Sequence, residues 1–162
     1  MHINLVPVDL GKKDILFNLY QLYYYDFSEY TNQDLNKDGK YDLDINLFWE
    51  GDRRWHPFFI EASGILVGFT VILHENMDTD PDPTHVIYDF MIIKKFRRRG
   101  IGHQAAIKAL NMYKANWKIA QMQVNTPAIS FWRKVVKQYT KDNYTEVVRE
   151  DSKKYVQTFC TK

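Results

Sequence analysis

Apolar positions recur along the chain with two different periods, and the alternation between these periods predicts its elements. Short apolar runs bounded by turn residues predict strands, and these lie at residues 3–8, 58–62, 65–73, 85–93, 119–124, 144–149 and 155–161. Apolar residues three and four positions apart predict helices, at residues 12–25, from residue 100 onward and at residues 126–137. After a polar loop at residues 26–44, Asp44 is placed to cap a short helix through Trp49.

The order of these elements indicates one domain with a mixed sheet. Ser63-Gly64 is a hairpin signal between two strands, and the last two strands are predicted to form an antiparallel pair. Helices intervene between the other strands, which predicts an α/β (α+β) class in which helices cover the sheet. The length of 162 residues, without a repeat or linker, fits a single domain over residues 1–162.

Composition narrows the class of protein only modestly. Hydrophobic residues make up 45% of the chain and charged residues 26%, which is typical of a globular protein. The single cysteine, Cys160, can form neither an internal disulfide nor a cysteine-rich zinc site. No apolar run approaches the roughly 20 residues that cross a bilayer, so we expect a cytoplasmic protein with no membrane partner.

Charge is unevenly distributed, although the net charge is only +2. Eight acidic residues and two lysines fall between Asp26 and Asp52, whereas five basic residues and no acidic one fall between Lys94 and Arg99. This asymmetry predicts two surfaces for partners of opposite charge, or else two solvated faces. A nucleic-acid site on the basic segment is disfavoured, because such domains carry a broad basic face, and we expect no nucleic acid as a partner.

The basic segment lies in a turn between an apolar strand and a helix that begins with glycines. Gly100 and Gly102 allow the backbone to approach a ligand closely, and the first N–H groups of the helix have no intrahelical partners. The neighbouring lysine and arginine side chains supply charge for phosphate oxygens. A phosphate-bearing cofactor is therefore the favoured ligand, and the spacing fits neither a P-loop nor a G-x-G-x-x-G dinucleotide site.

Two motifs resemble those of the GNAT superfamily of N-acetyltransferases. Residues 97–102, R-x-x-G-x-G, are similar to its acyl-CoA-binding signature, and residues 125–132, N-x-x-A-x-x-F-W, are similar to its second motif. The resemblance implies a single-domain fold with a mixed, mostly antiparallel sheet of six to seven strands, about four flanking helices, and a splay between strands four and five. It also implies acetyl-CoA as the co-substrate, with its pantetheine arm between the splayed strands.

The resemblance further assigns roles to individual residues. Those implied in cofactor binding are Ile92, Arg97, Arg98, Arg99, Gly100, Ile101, Gly102, His103, Asn125 and Trp132. The backbone N–H near Ile92 is expected to act catalytically, as an oxyanion donor that polarises the thioester carbonyl. An acceptor amine is then expected to attack the thioester directly in a ternary complex, without a covalent enzyme intermediate.

Asp89 is the candidate general base, because it is a carboxylate within an apolar strand beside the expected thioester. Burial raises the pKa of such a carboxyl group, although a structural hydrogen bond would also explain the residue. Trp132 departs from the family pattern, which often places a tyrosine there as the acid for the departing thiolate. Two alternatives follow: the thiolate leaves without a side-chain acid, or another group such as Tyr139 or Tyr144 serves as the acid. Trp132 itself is expected to pack beside the pantetheine.

The acceptor is expected at an acidic, aromatic segment, residues 20–42. In the family this region builds the acceptor site, and carboxylates with aromatic faces suit a small molecule with a cationic primary amine. The residues expected to bind it are Tyr24, Asp26, Phe27, Glu29 and Tyr30. The DFSE and FW-x-K-V segments are also similar to those of uncharacterised bacterial small-molecule acetyltransferases.

Alternatives stay open at two levels. Residues 34–42 imitate the start of an EF-hand calcium loop, but Ile45 stands where a bidentate glutamate is needed, so no metal is expected. Trp132 keeps open a non-catalytic acyl-CoA-binding module of the same fold. The family often dimerises, and a homodimer is compatible with the sequence.

Overall fold

The computed structural model describes residues 1–162 and contains one seven-stranded sheet. Its strands are β1 (Ile3–Pro7), β2 (Trp55–Ala62), β3 (Ile65–Glu75), β4 (Thr84–Ile92), β5 (Asn116–Met122), β6 (Thr145–Arg149) and β7 (Lys154–Cys160). Their order across the sheet is β1-β2-β3-β4-β5-β7-β6, and every neighbouring pair is antiparallel except β4 and β5, which are parallel. The predicted mixed, mostly antiparallel sheet is confirmed.

Three α-helices flank the sheet, rather than about four. They are α1 (Lys13–Phe27), α2 (Ile101–Leu110) and α3 (Thr126–Thr140). The short helix expected through Trp49 is a single 3-10 turn, Asn46–Trp49. Asp44 does accept a hydrogen bond from the Asn46 N–H at 2.8 Å, but the turn ends before an α-helical hydrogen-bond pattern can begin. None of the helices has both the length and the apolar character needed to cross a membrane.

The helices cover the two faces of the sheet and enclose separate apolar cores. On one face, called the α1 face, Leu16 packs against Phe69 and Met91. On the other, called the α2–α3 face, Trp117 of β5 and Val136 of α3 belong to a second core. Each strand therefore turns alternate side chains toward different helices.

The parallel pairing of β4 with β5 ends part-way along both strands. Residues 84–87 pair with residues 116–119, and beyond this point the strands diverge. A β-bulge lies where they part, because Val71 of β3 pairs with Asp89 and the next residue of β3 pairs with Ile87, which leaves Tyr88 as an additional residue. A bulge bends and twists its strand. The predicted splay between strands four and five is thus present.

Candidate active site

A cavity of about 650 Å³ occupies the gap between the diverging strands. Its walls come from both faces of the sheet. Those on the α1 face include Tyr23, Tyr24, Phe27 and Asp89, and those on the α2–α3 face include Phe90, Asn125, Ala128 and Trp132. The cavity therefore crosses the sheet, and ligands that enter from opposite faces can meet within it.

The turn before α2 forms a cradle of backbone N–H groups. Gly100, with φ of 77°, and Arg98, with φ of 59°, are both left-handed, and no side chain caps the helix. Turns of this kind direct N–H groups inward, and the first turn of a helix carries unsatisfied donors with partial positive charge. Lys95, Arg98 and Arg99 are exposed beside it and form no ion pair. The cradle fits a phosphate-bearing ligand.

Arg97 differs from its basic neighbours, because its guanidinium is held by the protein. Its Nε donates to the Ile92 carbonyl oxygen at 2.6 Å, and its Nη2 pairs with the Asp26 carboxylate. Asp26 also lies 3.4 Å from the Lys94 ammonium. Two basic side chains thus tie the end of α1 to the cradle, and Arg97 fixes the position of the turn.

The first turn of α2 presents its backbone rather than its side chains. Ile101 is buried in an apolar core, and a Cβ at Gly102 would lie 3.3 Å from the ring of Phe131. The Nε2 atom of His103 lies 2.8 Å from Oε1 of Gln138 on α3. These contacts hold α2 close to α3 and leave the N–H groups of the turn accessible.

Backbone N–H groups of β4 point into the gap. The N–H of Ile93 donates to the Val67 carbonyl on the β3 side, at 2.8 Å. Because N–H groups alternate between the two edges of a strand, those of Ile92 and Phe90 point to the other edge, from which β5 has diverged. The Ile92 N–H has the orientation that an oxyanion donor needs, whereas the Phe90 N–H faces the Tyr23 hydroxyl.

Asp89 projects from β4 toward α1, where two tyrosines surround it. The Tyr20 hydroxyl donates to the Asp89 carboxylate at 2.6 Å, and the Tyr23 hydroxyl faces both this carboxylate and the Phe90 N–H. Burial raises the pKa of Asp89, against hydrogen bonds from the two tyrosines and the charge of Lys154. Burial and the neighbouring carboxylate raise the pKa of Tyr20 and Tyr23 well above the usual value, so both hydroxyls stay protonated donors.

Asn125 and Trp132 form the cavity wall on α3. The Asn125 side-chain oxygen caps the helix by accepting from the Ala128 N–H at 3.2 Å, which leaves its amide nitrogen available as a donor. Trp132 is only 6% exposed and packs edge-to-face on Phe90, with 5.1 Å between the ring centroids. The indole is therefore a fixed wall of the cavity.

Neither tyrosine that the sequence offered as a substitute acid lines the cavity. The Tyr139 hydroxyl donates to Asn111 at 2.7 Å, and Tyr144 packs against the core of the α2–α3 face. The tyrosines that do line the cavity are Tyr23, Tyr24 and Tyr88. Burial raises the pKa of all three, which makes them weak proton donors to a thiolate.

The five residues expected to bind the acceptor divide into two groups. Tyr24 and Phe27 line the cavity, whereas Asp26, Glu29 and Tyr30 do not. Asp26 is committed to the ion pairs described above, and partial burial and the nearby Glu29 carboxylate raise the pKa of Tyr30. α1 ends at Phe27, and the segment after it lines the cavity with Thr31 and Gln33 rather than with its acidic residues. On this side the cavity is aromatic, and its acidic group is Asp89 rather than the expected Asp26 and Glu29.

The segment that imitates a calcium loop is folded on itself. The Asn36 side-chain oxygen accepts from the N–H groups of Asp38 at 2.9 Å and Lys40 at 3.1 Å. Its amide nitrogen donates to Asp42 at 2.9 Å. The Asn36 side chain thus closes a tight turn.

Three basic side chains line the opposite wall of the cavity, and no sequence pattern indicated them. Lys118, Arg149 and Lys154 lie on β5, β6 and β7. Lys118 pairs with Glu75 at 2.6 Å, Arg149 lies 3.4 Å from the exposed Asp151, and Lys154 makes no ion pair. Only the order β5-β7-β6 in the sheet brings them together, so no local pattern could have identified them.

Sequence comparison agrees with this architecture. Residues 14–136 match the profile of the acetyltransferase (GNAT) family. No curated protein matches the sequence.

Solved structures share the fold at low sequence identity. An acetyltransferase from Thermus thermophilus is similar with a TM-score of 0.69 and 15% identity, over 99% of this chain and 97% of that chain. An aminoglycoside acetyltransferase from an uncultured soil metagenomic sample, in complex with sisomicin, has a TM-score of 0.61 and 16% identity, over 82% and 86%. A chimeric spermidine N-acetyltransferase from Vibrio cholerae has a TM-score of 0.58 and 12% identity, over 98% and 93%. These structures establish the fold, and the profile match over most of the sequence establishes that the chain belongs to the acetyltransferase (GNAT) family.

Proposed function

We propose that this protein transfers the acetyl group of acetyl-CoA to the primary amine of a small acceptor, by direct attack in a ternary complex. The observation that carries the proposal is the cavity that crosses the sheet between β4 and β5. It joins a wall formed by Asn125, Ala128 and Trp132 to a wall that bears Asp89. Such an arrangement brings two substrates together from opposite faces, as a direct transfer requires.

The residues of the α2–α3 face fit a CoA ester. The uncapped N–H groups at the start of α2 and the unpaired side chains of Lys95, Arg98 and Arg99 would hold its phosphates. The free amide nitrogen of Asn125 would donate to the pantetheine arm, and Trp132 would pack along it. When bound, acetyl-CoA supplies a thioester carbon at which attack by the amine forms the C–N bond and releases the CoA thiolate.

Asp89 accepts the proton that the acceptor must lose. An alkyl ammonium group has a pKa near about 10.4 and cannot attack until it is deprotonated. The Asp89 carboxylate lines the cavity, and its raised pKa makes it a better proton acceptor than an exposed carboxylate. Tyr20 holds the carboxylate in place. The proton reaches Asp89 directly or through one water molecule.

The backbone of β4 stabilises the charge that develops on the thioester oxygen. The Ile92 N–H points into the gap and needs no reorganisation to donate. Trp132 cannot deliver a proton to the leaving group, because its indole N–H is a hydrogen-bond donor only. The proton held by Asp89 is then available to the thiolate, so no side-chain acid other than Asp89 is required.

A second candidate function is a non-catalytic acyl-CoA-binding module, and Trp132 favours it. Two measurements distinguish these functions: thermal melting with acetyl-CoA, and thiol release with a panel of primary amines. An enzyme shows a raised melting temperature and thiol release with at least one class of amine. A binding module shows the raised melting temperature and no release above the amine-free rate with any member of the panel.

A further inference from the structure

The cavity wall formed by β5, β6 and β7 lies across the gap from α1, and no helix covers this part of the sheet. On the α1 face, the helix packs against β3 and β4, whereas Ala120 of β5 and Val147 of β6 are exposed. Alternate residues of a strand face the same side, and Lys154 is the register partner of Arg149. Lys118, Lys154 and Arg149 therefore share this uncovered surface and border the cavity from it.

The three positive charges on this wall outnumber the two carboxylates that line the cavity. These carboxylates are Glu75 and Asp89. Glu75 is bound to Lys118 at 2.6 Å, and Asp89 accepts from a tyrosine of α1 and feels the charge of Lys154. Lys154 has no ion-pair partner. Arg149 pairs with Asp151 at 3.4 Å, but Asp151 does not line the cavity. The cavity thus has surplus positive charge at the end where β6 pairs with β7.

We propose that the acceptor carries an anionic group, a carboxylate or a phosphate, in addition to its primary amine, and that Lys154 and Arg149 bind this group. The inference rests on the proposed function, because it concerns the same cavity. Opposite charges then orient the acceptor, with its anion at Lys154 and Arg149 and its amine at Asp89. A polycation would place positive charge against both basic side chains, which disfavours it.

Matched pairs of amines test this selectivity directly. Suitable pairs are phenylalanine with 2-phenylethylamine, 6-aminohexanoate with hexylamine, and O-phosphoethanolamine with ethanolamine, because each differs by one anionic group. We expect the anionic member of at least one pair to have a kcat/KM about tenfold or more higher, as for a charge-assisted contact. The first two pairs report on carboxylate recognition and the third on phosphate recognition.

Variants at the basic wall assign the effect to its residues. Lys154→Gln and Arg149→Gln should each lower, by about tenfold, the ratio of kcat/KM for the amine that bears the anionic group to kcat/KM for its partner without that group. An effect of Lys154 on Asp89 changes both values alike and leaves this ratio unaltered. Lys114→Gln, at an exposed lysine outside the cavity, is the matched control and should change neither value.

Three other outcomes overturn the inference, and they are distinguishable. Preference for the partners without the anionic group, or for spermidine, shows that the wall does not select an anion, although the proposed function stands. A raised KM for acetyl-CoA in Lys154→Gln shows that the Lys154 side chain binds acetyl-CoA instead of the acceptor. Absence of transfer to every amine, while acetyl-CoA still raises the melting temperature, overturns the proposed function and the inference with it.

Discussion

The Tyr20 hydroxyl of α1 donates a 2.6 Å hydrogen bond to the carboxylate of Asp89 on β4. This contact joins the helix of the α1 face to the strand that borders the gap. It also orients the Asp89 carboxylate, which lines the cavity. Two opposed effects set the pKa of Asp89, because burial raises it and the tyrosine hydrogen bonds lower it. The pH dependence of the reaction should therefore respond to changes on either side of the contact.

Replacement of Tyr20 should shift the pH dependence of the reaction. The base must be deprotonated, so kcat/KM falls with decreasing pH through the pKa of Asp89. Tyr20→Phe removes a hydrogen bond that lowers this pKa, and the acidic limb of the profile should move to higher pH. A rate profile measured across the acidic range checks the direction, and an unmoved limb contradicts the role of Asp89 as the titrating base.

Asp89→Asn should separate activity from stability. Loss of a general base lowers kcat by about 100-fold or more. Because folding raises the pKa of Asp89, the native state binds more protons than the unfolded chain between the two pKa values, and stability falls as pH rises through that window. At neutral pH the asparagine variant should be at least as stable as the wild type in urea. Full activity at neutral pH would exclude Asp89 as the base.

A stack of three histidines should make the fold sensitive to acid. His74 lies between His56 and His85, with 4.1 Å between ring centroids on each side. Its buried Nε2 has no hydrogen-bond partner, and burial with the neighbouring imidazoles lowers its pKa to about 4. The unfolded chain binds the extra proton below the ordinary pKa of about 6.5. The contribution of neutral His74 to the free energy of unfolding is therefore fully present above pH 6.5 and is lost as the pH falls toward 4.

Thermal melting as a function of pH measures the effect of the stack. Between pH 7 and pH 4.5 we expect a loss of about 1–2 kcal/mol from His74, after allowance for solvent screening of its partly buried ring, or about 2–8 °C. His74→Phe should flatten the dependence, and His2→Gln, which removes an exposed imidazole outside the stack, is the control. An unchanged slope in His74→Phe would show that the stack is not the sensor.

Gly68 of β3 should tolerate no side chain. A Cβ there would lie 1.9 Å from the Met91 carbonyl oxygen of β4, so a substitution must push the two strands apart next to the gap. Gly68→Ala should destabilise the protein by about 3 kcal/mol and weaken acetyl-CoA binding. Urea unfolding checks the first effect, with Gly11→Ala as the control, because its nearest neighbour is the movable end of Asp9. Equal stability of the two variants contradicts the close approach.

The ion pair between Arg97 and Asp26 should contribute to stability despite its partial exposure. Arg97→Met and Asp26→Asn, with the double variant, form a cycle that we expect to give a coupling of about 1 kcal/mol in urea unfolding. The matched control is the cycle for Lys137 and Asp142, which lie 3.7 Å apart with side chains 63% and 65% exposed, and its coupling should be close to zero. Equal couplings would mean that Arg97 is not an anchor of the cradle.

The sequence predicts the elements of this fold better than their contacts. The strand expected at residues 85–93 is Thr84–Ile92, and the helix expected from residue 100 is Ile101–Leu110, because local periodicity and turn residues determine both. Tyr20 and Asp89 are 69 positions apart, and Asp26 and Arg97 are 71 apart. No local pattern specifies such pairs, so the charge of Asp26 suggested a ligand-binding wall although a distant arginine neutralises it.

The transfer itself is tested most directly by the fate of a labelled acetyl group. The wild-type protein is incubated with acetyl-CoA labelled in its acetyl carbons and with the amine that gives the fastest thiol release, and the amine and the protein are analysed by mass spectrometry. Direct transfer in a ternary complex predicts label on the amine, in proportion to free CoA, and an unchanged protein mass. Label retained on the protein, or no labelled amine although acetyl-CoA binds, would contradict this account of the β4–β5 gap.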